Sequence, residues 1–225
     1  MKNVLDNGYV RLVDVMGSDL SVVNSARVSY NKAKETLEDQ DKRLIQFLAR
    51  EGHTSPFRHA TLQFEIYAPL MVARQWFKYI VGSDHTMDAW NESSRRYITE
   101  ECEFYVPAEN EWRSAPANSK QGSGEALPES SGYIFTYELE EYIKKGESLY
   151  QLALDRGICA EQARLFLPAY GMYVRWYWTT SLQGLAHFLN QRLEHDAQKE
   201  IQEYAKAVYE LSVDKFPVSL DELIK

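Results

Sequence analysis

The chain has 225 residues, enough for one compact domain with its own core. Its formal net charge is −8, with 44% hydrophobic and 26% charged residues, as in an ordinary globular protein. That balance argues against a protein whose main task is coating nucleic acid, which needs clustered cationic surface to release counterions.

No apolar run reaches the length of a membrane span, and the N-terminal stretch lacks the apolar core of a secretory leader. The two cysteines, Cys102 and Cys159, form neither a CxxC pair nor a metal-ligand spacing. The expectation is a reduced, cytoplasmic protein with no membrane partner and no metal. Aromatic residues make up 13%, including fifteen Tyr and five Trp, which reads first as an aromatic core.

In chain order, Tyr9–Val15 reads as a short strand whose Val10, Leu12 and Val15 alternate only loosely. Asp19–Val28 and Asp41–Arg50 read as helices, the second closed by Gly52. His53–His59 (HTSPFRH) reads as a polar loop. Leu62, Phe64 and Ile66 then alternate with polar neighbours, the period of a half-buried strand. After Pro69, Val72, Trp76 and Ile80 recur at helical spacing and leave Arg74, Gln75 and Lys78 off the apolar face. Residues 113–131 are rich in Ser, Gly, Pro and Ala and read as a long surface loop. Tyr133–Arg156 reads as a long helix interrupted at Gly146, and Gly171–Thr180 as an aromatic, β-branched strand. From Ser181 a helix carries Leu182, Leu185, Ala186, Leu189 and Leu193. A last helix carries Ile201, Tyr204, Ala205, Val208 and Leu211. Separate strands and helices without a βαβ rhythm give the fold class α+β, as a single domain over residues 1–225.

Three segments concentrate polar groups that a packed core does not want: Arg74–Lys78, Asn91–Tyr97, and Glu161–Pro168 with His187–Arg192. Arginines recur in each beside hydroxyls, amides and aromatic rings. The combination suits an anionic planar ligand: guanidinium pairs with phosphate, amides give directional bonds, and aromatic faces pack on flat rings. Each segment alone also fits ordinary surface arginine on an amphipathic helix. Arg192 fits that reading least, because it shares a helix face with Leu185 and Phe188. A half-buried arginine needs a partner, and an anion would serve. Histidine spacing supports no metal centre; His53 and His59 are six residues apart, a weak signal.

The blocks HTSPFRHATLQFEIYAPLMVARQWFK, NESSRRY, EQARLFLP and HFLNQRLEHDAQKEIQEYA together resemble the flavin-dependent thymidylate synthases, the ThyX family, across nearly the whole chain. The resemblance implies a mostly antiparallel sheet packed with helices. It implies a homotetramer with active sites between subunits, FAD as cofactor, and NADPH and methylenetetrahydrofolate as co-substrates. The implied reaction converts dUMP to dTMP, with reduced flavin giving the hydride. Gln75, Lys78, Glu92, Ser93, Ser94, Arg95, Arg96, Arg164 and Arg192 fall where the family contacts dUMP, and Arg192 where an arginine polarises the uracil ring. His53, Ser55, Lys78, Tyr79, Glu92, Ser181, Gln183 and His187 fall at or beside flavin-contact positions.

One departure stands out. The family's Arg-His-Arg triplet after RQWF is replaced by Lys78-Tyr79-Ile80 and an apparent insertion, Val81–Trp90. The insertion is expected to replace the triplet functionally, with Gly82 allowing a turn, Ser83, His85 and Thr86 as polar groups and Trp90 as a stacking face. Two other readings stay open: a related flavoprotein acting on a different pyrimidine nucleotide, and a nucleotide- or RNA-binding module without catalysis.

Overall fold

A computed structural model gives the fold and describes residues 1–30, 33–81, 88–93, 101–117 and 122–225. The elements in chain order are β1 (Lys2–Val4), β2 (Gly8–Met16), α1 (Asp19–Ala26), α2 (Asp39–Arg50), β3 (Thr61–Pro69), α3 (Leu70–Val81), β4 (Ala89–Glu92), α4 (Glu129–Asp155), α5 (Ala160–Ala163), β5 (Tyr173–Ser181), α6 (Leu182–Arg192), α7 (Lys199–Ser212) and α8 (Pro217–Leu223). The described strands form one sheet in the order β1-β2-β3-β5-β4, with every neighbouring pair antiparallel. This is the α+β, antiparallel architecture that the sequence implies.

The two central strands explain the sheet's sidedness. In β3, Leu62, Phe64, Ile66 and Ala68 are buried; in β5, Val174, Trp176, Trp178 and Thr180 are buried. The register sets Phe64 opposite Trp178 and Ile66 opposite Trp176, so one face is a continuous aromatic and aliphatic floor. Helices α3, α6 and α7 cover it. The other face carries Tyr9, Arg11, Glu65 and Arg175. Glu65 there accepts from the Tyr9 hydroxyl at 2.7 Å and the Arg11 Nε at 2.8 Å, so a carboxylate only 8% exposed keeps its partners. One hydrophobic core runs from Val4 to Leu220.

Several sequence readings shift for physical reasons. The loose alternation in β2 comes from a β-bulge between Leu12 and Asp14, which moves the inward phase from Leu12 to Val15. The HTSPFRH stretch is not an open polar loop: Ser55–His59 forms a short 3-10 helix with Pro56 and Phe57 buried. The loop 113–131 is shorter than expected, because α4 starts at Glu129. Its flanks also pair, with Leu127 N–H donating to the Trp112 carbonyl at 2.7 Å and an antiparallel bridge joining Arg113 to Ala126. The helix at Ile201 is not the last. Pro217 opens α8, whose Val218 and Ser219 N–H groups donate to the buried carboxylate of Asp19 at 2.9 and 3.0 Å, tying the first helix to the last. Strands β1 and β4 are too short to leave a periodic signal.

Gly146 does not interrupt α4, which is continuous through it. The residue is glycine because the chain passes close: a Cβ there would meet the Phe166 carbonyl oxygen at 2.7 Å and Pro168 Cδ at 3.0 Å. Gly146→Ala is therefore expected to lose about 1–3 kcal/mol of stability by overpacking, despite alanine's better helix propensity. Urea denaturation checks this; a variant as stable as the parent shows that the 164–168 segment yields freely.

Candidate functional site

Helix α3 delivers its functional side chains by helical phase. Trp76 is fully buried and stacks on Phe188 of α6 with ring centroids 4.4 Å apart. With Trp76 facing inward, Gln75, Lys78 and Tyr79 come out along the flank nearest α6. Tyr79 meets Phe188 edge-on at 5.5 Å and lies 5.5 Å from the His187 ring. One turn beyond Phe188, at the end of α6, the Arg192 guanidinium carbon sits over the Tyr79 ring, 4.9 Å from its centroid. Burial raises the Tyr79 hydroxyl pKa, and the Arg192 charge partly offsets it.

Arg192 is half-buried, and its Nε is enclosed with no hydrogen-bond acceptor among the described residues. It lines a cleft of about 580 Å³ together with Gln75, Lys78 and Gln198. Glu194, His195 and Asp196 complete one side of the cleft. The cations Lys78 and Arg192, the amides of Gln75, Gln191 and Gln198 and the carboxylates of Glu194 and Asp196 thus meet around a space of ligand size, with Tyr79 beneath Arg192.

Gln198 separates this cleft from a second, more apolar cavity of about 570 Å³ that Phe104, Trp112, Leu139 and Ile143 help to line. Its amide is held at both ends. Gln75 Nε2 donates to Gln198 Oε1, and Gln198 Nε2 donates to Glu200 Oε2 at 2.8 Å. The other Glu200 oxygen takes Arg113 Nη2 at 2.5 Å. Burial alone would raise the Glu200 pKa, but the bonds from Arg113 and Gln198 outweigh it and hold the carboxyl below its ordinary 4.5. Neither Arg113 nor Glu200 stands out in the sequence. Arg113 opens a loop-like stretch and Glu200 sits in a charged helical turn; only their partners mark them.

The remaining sequence-predicted residues fall elsewhere. His53 and Ser55 are exposed at the start of the 3-10 helix that packs on α6, with His53 edge-on to Phe47 at 5.8 Å. The Ser181 hydroxyl is fully buried and caps α6 by accepting from Gly184 N–H at 3.1 Å. The Gln183 Oε1 is buried with no partner among the described residues. Glu92 accepts from the Trp90 indole at 3.3 Å, and the half-buried Trp90 stacks one face on Trp176 at 4.7 Å. Ser93 lines a separate hollow with Tyr9, Tyr67 and Arg175. Arg164 is exposed after α5, its Nε donating to the Glu161 carbonyl at 3.3 Å. Ser94, Arg95 and Arg96, and Gly82, Ser83, His85 and Thr86 of the insertion, lie outside the described residues.

An antiparallel α+β scaffold carries a cleft in which Lys78, Arg192 and glutamine amides offer the donors that a small, anionic, planar ligand takes. Residues 11–218 match the family described as thymidylate synthase complementing protein. The flavin-dependent thymidylate synthase of Thermotoga neapolitana is 38% identical over 222 residues, 99% of this chain and 93% of that relative. That of Treponema denticola is 38% identical, covering 96% of this chain and 79% of that relative. Among solved structures, a UMP/dUMP methylase, PolB, from Streptomyces cacaoi bound with 5-Br dUMP superposes with a TM-score of 0.83 at 29% identity, covering 98% of this chain and 96% of that one. The same protein bound with 5-Br UMP gives 0.81 at 27% identity. This chain belongs to the family of the flavin-dependent thymidylate synthases.

The buried Glu200 carboxylate gives a pH test. Its folded pKa is depressed, so its stabilising contribution is complete above the unfolded value and is lost as pH falls through the folded one. Glu200→Gln is expected to cost on the order of 1–3 kcal/mol at neutral pH. The gap to the parent should narrow as the pH drops below the ordinary carboxylate range. Chemical denaturation at pH 7 and pH 4 checks it; a gap that widens in acid contradicts the assignment.

Proposed function

We propose that the chain methylates dUMP at ring C5 to give dTMP, with methylenetetrahydrofolate as carbon donor, FAD as cofactor and NADPH as reductant. The observation that carries this reading is Arg192. Its guanidinium rests on Tyr79 and its Nε has no acceptor among the described residues, while Lys78 and Gln75 line the same cleft. A uracil ring set against Arg192 places a fixed positive charge beside its carbonyls. As C5 becomes nucleophilic, negative charge spreads over N3 and those oxygens, and the preorganised guanidinium stabilises it without reorganising. Lys78 supplies the charge for the phosphate end, as a compact ammonium does. Tyr79, which stands in the triplet's place, supports Arg192 through its ring face, without a charge of its own.

The residues toward the flavin fit such a group. His53 and Ser55 offer exposed polar side chains, the 3-10 helix after them packs on α6, and α6 presents Gln183 with an unpartnered oxygen and His187 at its surface. Bound there, FAD supplies the hydride that completes the methyl group. These side chains bind and orient it.

The arrangement within one chain also supports a homotetramer with shared sites. Ser93 and Arg164 fall outside the cleft of Gln75 and Arg192, so one chain does not gather all the residues that the resemblance assigns to dUMP. A second copy that brings Arg164 and the Ser93 segment to this cleft completes it. A cytoplasmic location fits a chain with only two cysteines, Cys102 and Cys159, in neither a CxxC pair nor a metal-ligand spacing.

The assay is tritium release from dUMP labelled at C5, with folate, FAD and NADPH present. Arg192→Ala is expected to keep FAD and to lose a few hundredfold in rate, on the order of 3 kcal/mol at a developing anion. Activity within threefold of the parent rejects the role of Arg192. Release from UMP but not from dUMP favours a related flavoprotein of ribonucleotides, a reading suggested by the UMP/dUMP methylase that superposes on this chain. The double change Cys102→Ala, Cys159→Ala should leave dTMP formation intact; its abolition in a folded variant contradicts direct hydride delivery and points to a thiolate on ring C6.

A further inference from the structure

We propose that Gln198 and Glu200 are positioning residues that hold Gln75 as a hydrogen-bond acceptor in the cleft, where it receives the imide N–H of uracil and so selects uracil over cytosine. The proposal rests on the reading of the cleft as a pyrimidine nucleotide site. It concerns how that site reads the base.

Glu200 has only one way to bond. An ionised carboxylate accepts and never donates. Glu200 is 4% exposed and keeps its charge through Arg113, whose Nη2 lies 2.5 Å from Oε1. The neighbouring Gln198 amide has two ends, and only its NH₂ end bonds well to a carboxylate. The Nε2 therefore turns to Glu200 Oε2 at 2.8 Å, and Oε1 must face the opposite way. That oxygen needs a donor, and Gln75 Nε2 provides it. The Gln75 amide is turned in consequence: one of its N–H bonds goes to Gln198, which sets Oε1 on the other side of the amide as an acceptor, and Gln75 lines the cleft. A buried charge at one end thus sets the polarity of an amide two residues removed in the chain of bonds. Inverting either amide would set an oxygen against the carboxylate, or oxygen against oxygen, in a half-buried setting where such a mismatch is costly.

The base edge that complements this arrangement follows from the chemistry. Uracil presents carbonyl, N–H, carbonyl along its imide edge: acceptor, donor, acceptor. Gln75 offers an acceptor and Arg192 offers donors in the same cleft. Cytosine carries a lone pair at N3 in place of that N–H, and an amine where uracil has one of the carbonyls. An amide free to rotate would accommodate both bases. One held by Gln198 sets oxygen against the cytosine lone pair. Sites built to bond a substrate N–H discriminate strongly against analogues lacking it, because a buried acceptor is then unpaired.

The test is the binding of dUMP and dCMP to the FAD-loaded protein, followed by the flavin absorbance change or by equilibrium dialysis, for the parent and for Gln198→Leu. The leucine keeps the volume and removes both bonds. The expected result is a preference for dUMP over dCMP that falls about tenfold or more in Gln198→Leu, with the FAD spectrum unchanged. A positioning role also predicts a raised KM for dUMP with kcat less affected; a merely structural role does not alter base selectivity. Should Gln198→Leu fail to fold, Glu200→Gln makes the same test, since its amide no longer forces Gln198 to present nitrogen. Wild-type binding of dUMP with an unchanged dUMP/dCMP ratio in the folded variant overturns the relay alone. Failure of the parent holoenzyme to bind dUMP overturns the reading of the cleft, and the proposal with it.

Discussion

Trp76 holds the functional half of this molecule together. Its indole is fully buried, stacks on Phe188 at 4.4 Å and meets Trp176 and Trp178 edge-on at 5.5 and 5.2 Å. Each such aromatic pair adds about 0.5–1.5 kcal/mol beyond burial. The cluster locks α3 and α6 to the sheet and to each other, so rotation of either helix about its axis is opposed by close packing. Gln75, Lys78 and Tyr79 sit one, two and three residues from Trp76 along α3, while His187 and Arg192 sit one and four residues from Phe188 along α6. Their relative placement follows from a contact that touches no ligand. Apolar packing thereby fixes where Arg192 sits relative to Gln75 and Lys78, as the role proposed for it requires.

The second consequence is a division of labour between the two helices and the loops around them. In the proposed function the helices carry the groups that read a base and hold a charge. The His53–Ser55 turn, the Arg164 turn and β4 with Ser93 carry polar groups on other parts of the surface. In the proposed assembly of identical copies, these surfaces serve a neighbour's cleft. The substitution of the family's triplet by Lys78-Tyr79-Ile80 fits the same frame. It keeps one cation and gains a neutral ring under Arg192, and the ring packs against Phe188 as a second contact of the aromatic cluster.

Much of the fold was legible in the sequence because the central elements are periodic. The alternation in Leu62–Ile66 and the helical spacing of Val72 and Trp76 correspond to β3 and α3, and the stripe from Leu182 to Leu189 to α6. Elements without room for a period were not legible: β1 has three residues and β4 four. Gly146 misled, since glycine in a helix signals either a break or a close approach and only the neighbouring chain decides which. In the site, Arg192 was legible as a charge on an apolar face, and Gln75 and Lys78 as residues off the stripe. Arg113 and Glu200 were not, because an ion pair between residues far apart in sequence leaves no local pattern. Trp90 was read as a stacking face; the structure sets it opposite Trp178 and stacks one side of its half-buried ring on Trp176, a pairing across strands that leaves no local pattern.

The central claim is that the cleft between the ends of α3 and α6 holds the pyrimidine. The most direct measurement is the bromine anomalous signal in crystals of the FAD-loaded protein soaked with 5-bromo-dUMP. The account predicts one strong peak per chain inside the cleft bounded by Gln75 and Arg192, with the ring carbonyls turned toward the guanidinium. A peak in the apolar cavity beside Trp112, or on the outer face of the sheet near Tyr9 and Ser93, with none in the cleft, would contradict it.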